Sequence, residues 1–144
     1  MIASLSATLT NRRSEIAQLH QLVEAFSGQH GVPDAVVFAM NLALDEIVTN
    51  IIVHGYTEGG EHEIRVALAL DEDALEATVR DDAPPFNPLV VPPIDLEAVG
   101  EDRPIGGLGV HLVRSVMDGV QYRRDGLENV VVMKKALRAT EDPP

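Results

Sequence analysis

The chain of 144 residues contains no cysteine. That removes a disulfide framework, a thiolate nucleophile and any cysteine-type zinc site, and it is compatible with a reducing compartment. Basic residues are scarce: 11 Lys and Arg stand against 23 Asp and Glu, for a net charge of −12. Gripping nucleic acid takes cations that neutralise phosphates, so this balance argues against direct nucleic-acid binding. An acidic surface suits solubility, and equally a protein partner with basic patches. No stretch approaches the run of about eighteen apolar residues expected of a membrane helix. The opening Met-Ile-Ala-Ser-Leu-Ser lacks the basic-then-apolar order of a secretory signal. Internal repeats and low-complexity tracts are missing too. The five histidines (His20, His30, His54, His62 and His111) show no metal spacing such as His-Glu-x-x-His.

What is present is an ordinary apolar fraction in a chain long enough for one domain with its own core. Leu5–Leu9 alternates apolar and polar residues and reads as a short, half-buried strand. Thr10 or Asn11 is placed to cap a helix that runs to about Ser27, with Ile16, Leu19, Val23 and Phe26 on one face. Gly28–Gly31 breaks it, and Pro33 suits the first position of a second long helix. His62–Leu70 and Leu75–Arg80 alternate and form an antiparallel hairpin. Gly106–Gly109 leads into a helix through Met117, stopped by Asp118-Gly119. Val120–Arg123 and Asn129–Lys135 read as a last pair of strands turned at Asp125-Gly126. The order strand, two helices, two strands, helix, two strands implies an α/β (α+β) two-layer sandwich: a mixed, mostly antiparallel sheet with helices on one face. Residues 1–137 form the expected domain, and 138–144 a frayed tail.

Between Asp82 and Arg103 the pattern changes. Pro84, Pro85, Pro88, Pro92 and Pro93 exclude a long helix or a central strand. A connection this long in a small domain is expected to be a functional loop, here a lid.

Three segments carry chemistry. On the second long helix, Glu46, Asn50 and His54 are four apart, so they stack on one line beside the apolar stripe of Met40, Leu44, Ile47 and Ile51. An Asn oxygen and a carboxylate are hard donors suited to magnesium, and Glu46 could serve as a general base. Next, Asp81-Asp82-Ala83-Pro84-Pro85-Phe86-Asn87-Pro88 places an acidic pair at a strand end. Third, Gly106-Gly107-Leu108-Gly109 opens a helix, where unpaired N–H groups and the helix dipole favour an anion. An amphipathic helix, a solvated acidic turn and a plain glycine cap would explain each segment taken singly.

In this order the segments resemble a known family. Glu46-x-x-x-Asn50-x-x-x-His54-Gly55-Tyr56 resembles the N-box of the GHKL (Bergerat-fold, histidine kinase-like) ATPases, and the His-Gly-Tyr ending is similar to the anti-sigma factor serine/threonine-protein kinase branch. Asp81-x-Ala83-x-x-Phe86-Asn87-Pro88 resembles that branch's Asp-x-Gly-x-x-Phe-Asp-Pro box. Gly106–Val113, closing with Met117-Asp118, resembles its glycine box and following helix.

The resemblance implies an ATP site with Mg2+. Asn50 would coordinate the metal, Glu46 would be the catalytic base toward a serine, and Asp81 would hydrogen-bond the adenine amino group beside Ala83. Gly107 and Gly109 would let the chain wrap the phosphates, and Arg103 is a candidate to reach them. It further implies a cytoplasmic anti-sigma factor with protein kinase activity, whose partners are a sigma factor and an anti-anti-sigma antagonist. A homodimer is compatible with the resemblance. A non-catalytic partner-switching module is the alternative, and a detached regulatory domain of a larger system is a third, with the start at Met1 counting against it. Two departures bear on these expectations. Ala83 stands where the family usually has glycine, and its methyl group would cost something if that position needs φ > 0 or close contact with adenine. Asn129 stands where many members place a threonine near adenine.

Overall fold

The computed structural model describes residues 1–56, 59–90 and 106–138, with residues 106–108 described by backbone alone. Residues 91–105, which include the expected lid from 91 to Arg103, and 139–144 of the expected tail lie outside the described residues.

Five strands form one sheet: β1 (Ala3–Thr10), β2 (Glu63–Leu70), β3 (Ala74–Asp81), β4 (Gly119–Asp125) and β5 (Glu128–Ala136). Their spatial order is β1-β2-β3-β5-β4, and every pairing is antiparallel. Three helices complete the α/β sandwich: α1 (Ser14–Gln29), α2 (Asp34–Asn50) and α3 (Gly106–Val116). The alternation read from the sequence sorts the two faces. Ile64, Val66, Leu68 and Leu70 of β2 are buried, whereas Glu63, Arg65 and Ala67 between them are exposed. The helices therefore cover one face, and the opposite face is open.

The core lies between that covered face and α2, whose Met40, Ala43, Leu44, Ile47 and Val48 are fully buried, as is Ile51 just after it. Each large aliphatic among them contributes on the order of 1.5–3 kcal/mol by leaving water. Together with the turn that follows it, α2 makes a helix of 22 residues, Asp34–Gly55, long and apolar enough by composition to cross a bilayer. Its apolar side is used instead as the central core element, packed against α1, α3, β3 and β5.

Local chemistry differs from expectation at three places. First, Thr10 and Asn11 do not cap α1. Glu15 reaches back and accepts hydrogen bonds from the Thr10 N–H (2.9 Å) and hydroxyl (2.7 Å), and these two bonds hold its carboxyl below the ordinary range. Asn11 is spent on the 59–62 loop, accepting from the His62 N–H (2.9 Å) and donating to the Gly60 carbonyl (2.9 Å). Second, Pro33 precedes the first turn of α2 in an extended conformation (ψ 144°), and its carbonyl accepts the Val36 and Val37 N–H groups. Third, α2 does not keep its period to the end. Ile51–Gly55 forms a wider π turn, a geometry that inserts one residue into an α-helix and recurs at functional sites.

Candidate functional site

That turn decides which residues share a face. Glu46 and Asn50 are four apart, and Asn50 is buried at 4 % exposure. His54, the expected third member of the line, is exposed, and Gly55 is buried in its stead. The line therefore runs 46, 50, 55. At Gly55 the helix end meets the acidic box: a Cβ placed there would touch the Ala83 Cβ and the Phe86 ring, each at 3.5 Å. One turn earlier, the Asn50 side-chain amide donates to the Pro88 carbonyl at 3.3 Å. That commits the nitrogen to the protein, so the oxygen is the atom for a hard cation to take.

Asp81 ends β3 on the covered face and is 1 % exposed. Its Oδ1 accepts from the Ala83 N–H (3.0 Å) and from Asn129 Nδ2 (2.9 Å). Its Oδ2 is buried and has no hydrogen-bond partner among the described residues. A buried acceptor left open is expensive unless a donor reaches it, so Asp81 fits a ligand that brings an N–H, such as an adenine amino group. Burial pushes the Asp81 carboxyl up. The Asn129 and Ala83 hydrogen bonds and the Arg124 charge oppose that shift, while neighbouring Asp82 adds to it.

The backbone at Ala83 does not need glycine. Among the described residues no residue other than glycine has positive φ, so its methyl group carries no backbone strain. It is 1 % exposed and packs toward Gly55, which leaves it room.

Glu46 lies at the seam of α2 and α3. A Cβ on Gly109 would overlap its carboxylate, so a larger residue there would push the carboxylate out of this position. Burial, then the like charge of Asp45, raises the Glu46 carboxyl above its ordinary value, in the direction a general base near neutral pH requires. The glycine box does not precede α3 as expected. It forms the first turn, because the helix begins at Gly106. Gly107 is thus among the residues of the first turn whose N–H groups have no partner within the helix, which suits anionic oxygens.

The structure therefore brings Glu46 to Gly109, Asn50 to Pro88, and Asp81 to Ala83. Sequence reasoning missed two clusters. One surrounds Asn129, which donates to the Ala83 and Pro84 carbonyls as well as to Asp81. Its alternation with Val131 and Met133 was the available signal, because it puts Asn129 on the core face. The other is at Tyr56. Its hydroxyl donates to Asp82 Oδ1 (2.8 Å), and its ring stacks on His62 at 4.2 Å. Burial and the Asp82 hydrogen bond push the Tyr56 hydroxyl far up. A cavity of about 120 Å³ opens there between Gly55, Tyr56, His62 and Ala83, well below the roughly 300–1,000 Å³ of a typical small-molecule pocket. Larger cavities lie away from these residues, on the open sheet face (350 Å³) and beside Lys134 (420 Å³).

Comparison with known proteins gives a consistent picture. Residues 9–135 match the family model described as a histidine kinase-like ATPase domain. The chain is 35% identical over 99 residues to the serine-protein kinase RsbW of Bacillus mycoides (strain KBAB4), and 36% identical over the same length to that of Bacillus cereus (strain AH187). Each match covers 66% of this chain and 61% of the relative, so the chain spans less than two thirds of the length of these relatives. In fold it is similar to the crystal structure of the RsbU and RsbW domains of Rv1364c from Mycobacterium tuberculosis. The TM-score is 0.65 at 15% identity, over 92% of this chain and 32% of that one.

Proposed function

Because the chain belongs to the histidine kinase-like ATPase domain family, we propose that it is an ATP-dependent protein serine/threonine kinase that acts as a cytoplasmic anti-sigma factor. Its proposed partners are a sigma factor, which it holds, and an anti-anti-sigma antagonist, which it phosphorylates on serine. The observation that carries the nucleotide part is the buried, unpartnered Oδ2 of Asp81, a feature that calls for a ligand donor. The likeness to the serine-protein kinase RsbW relatives supports the choice of reaction and partners.

The residues divide the work. Asp81 receives the adenine amino group. Asn50 presents its amide oxygen to magnesium while its nitrogen stays on Pro88. The first turn of α3 offers backbone N–H groups to phosphate oxygens, and Gly107 and Gly109 let the chain wrap the phosphates. Glu46, held against Gly109 with a raised affinity for protons, takes the proton from the substrate serine hydroxyl. Bound Mg-ATP supplies the phosphoryl group and part of its charge neutralisation, and positioning accounts for most of the rest.

The test is incubation with labelled ATP, magnesium and the cognate antagonist. Label on an antagonist serine, together with a rise in melting temperature at millimolar Mg-ATP, is the expected result, since a ligand bound to the native state alone stabilises it. Binding without transfer would make the protein a non-catalytic switching module. No thermal shift would remove the nucleotide site.

A further inference from the structure

Asn129 is fully buried on β5, directly across the register from Asp81 on one side and Arg124 on the other. Its Nδ2 lies within hydrogen-bonding distance of Asp81 Oδ1 (2.9 Å), the Pro84 carbonyl (3.1 Å) and the Ala83 carbonyl (3.2 Å). Its Oδ1 accepts from the Tyr122 hydroxyl (2.6 Å), Arg124 Nη1 (3.1 Å) and the Phe86 N–H (3.1 Å). Arg124 Nη1 also donates to the Ala83 carbonyl at 2.8 Å. A primary amide has two N–H donors and two acceptor lone pairs. Every one of them is engaged by the protein, so Asn129 has nothing left for a ligand. What it controls is the state of its neighbours. It ties up one oxygen of Asp81, and it ties the backbone of residues 83–86 to the same point.

We propose that Asn129 is the positioning residue for base recognition: it makes the two oxygens of Asp81 inequivalent, so that Oδ2 alone meets the base and selects an exocyclic amino group over a carbonyl. This rests on the nucleotide reading above. A carboxylate free to rotate could offer either oxygen, or could turn away from a mismatched base at little cost. One pinned by Asn129 and by the Ala83 N–H cannot. A base with a carbonyl in place of the amino group then sets acceptor against acceptor, and a buried polar mismatch of that kind is strongly rejected. Arg124 and Tyr122 act one step further out, by holding the Asn129 oxygen.

The experiment measures dissociation constants of Mg-ATP and Mg-ITP for the wild type, Asn129→Leu and Arg124→Gln, with melting curves in parallel. The wild type is expected to prefer ATP by about tenfold or more. Asn129→Leu, of similar size and without a donor for Asp81, is expected to shrink that preference to within about threefold, a free-energy difference of less than half a tenfold step, and Arg124→Gln to shrink it part of the way. Loosening of the fold alone would weaken both nucleotides alike and leave the ratio unchanged. Folded variants with the wild-type ratio would overturn the role of Asn129. Should Asn129→Leu fail to fold, Arg124→Gln decides by the same criterion. A wild type that binds neither nucleotide would overturn the nucleotide reading, and this inference with it.

Discussion

Two carboxylates of the site, Asp81 and Glu46, are both pushed toward the protonated form by burial, yet their settings are opposite. Asp81 sits at a sheet end and is fixed by two hydrogen bonds within a knot that ties β3, β4 and β5 together. Glu46 sits at a helix seam, half-buried, and is confined by the shape of Gly109. The first arrangement holds an acceptor still, which suits the recognition role proposed for Asp81. The second leaves a carboxyl at the end of a flexible side chain, which suits the acid–base role proposed for Glu46. On the proposed function, recognition and chemistry fall to different layers of the sandwich, and they should separate under mutation.

The sharpest separation comes from Glu46→Gln. Transfer to the antagonist should fall by about 100-fold or more, the usual worth of a general base, while Mg-ATP affinity stays within about twofold. Binding that fell along with transfer would break the division between layers. Gly109→Ala should come next. The new methyl group displaces the Glu46 carboxylate, and the far end of a flexible side chain can yield, so transfer should drop by about tenfold to 100-fold at a stability cost below about 1 kcal/mol. A large loss in denaturant midpoint would instead mean that the seam is rigid.

Asp81→Asn should act on the other layer. ATP affinity should fall by about tenfold or more, as a hydrogen bond to a charged group is lost, while the fold becomes more stable near neutral pH because a buried charge is gone. The sign follows from the raised carboxyl. Ionised Asp81 costs the folded state at neutral pH, and that cost disappears as the pH falls through the raised value toward the ordinary 3.8. The stability difference between Asp81→Asn and wild type should therefore narrow on acidification, and melting temperatures measured from pH 8 down to about pH 4 would show it. A difference constant with pH would mean that burial does not raise the Asp81 carboxyl. The smallest effect is expected from Tyr56→Phe, which removes the hydrogen bond to Asp82 Oδ1. About 0.5–1.5 kcal/mol of stability should be lost, read from urea midpoints, with nucleotide selectivity unchanged.

Much of this arrangement was legible beforehand, for identifiable reasons. Strict alternation in His62–Leu70 and Leu75–Arg80 placed the central hairpin, because a period of two leaves one choice of buried face. The spacing of Glu46 and Asn50 put both on one side of α2, and there the α period held. It failed at His54, where the π turn slips the phase, and nothing in Ile51–Gly55 distinguishes such a turn from regular helix by composition. Capping of α1 was misplaced because the Thr10 hydroxyl and N–H are both spent on Glu15, while Asn11 is claimed by a loop 51 residues away. Asn129 was visible as an oddity in a strand of valines, but its hydrogen bonds depend on β5 lying beside β3, a pairing that crosses from residue 81 to residue 129. Side chains that act through long-range register are the hardest to see from local pattern.

The slipped turn has a consequence for insertions and deletions. A regular α-helix shortened by one residue rotates everything beyond the cut by roughly 100° and draws it in by about 1.5 Å, which would tear Gly55 from Ala83 and Phe86 if the cut fell between Asp34 and Asn50. Between Ile51 and His54 the opposite holds. The π turn already carries one residue beyond the α period, so removing exposed Val53 would convert it to an ordinary turn and leave Gly55 four residues after Asn50, still facing the acidic box. The end of α2 thus contains a spare residue: a place where the chain can change length while the parts on either side keep their alignment.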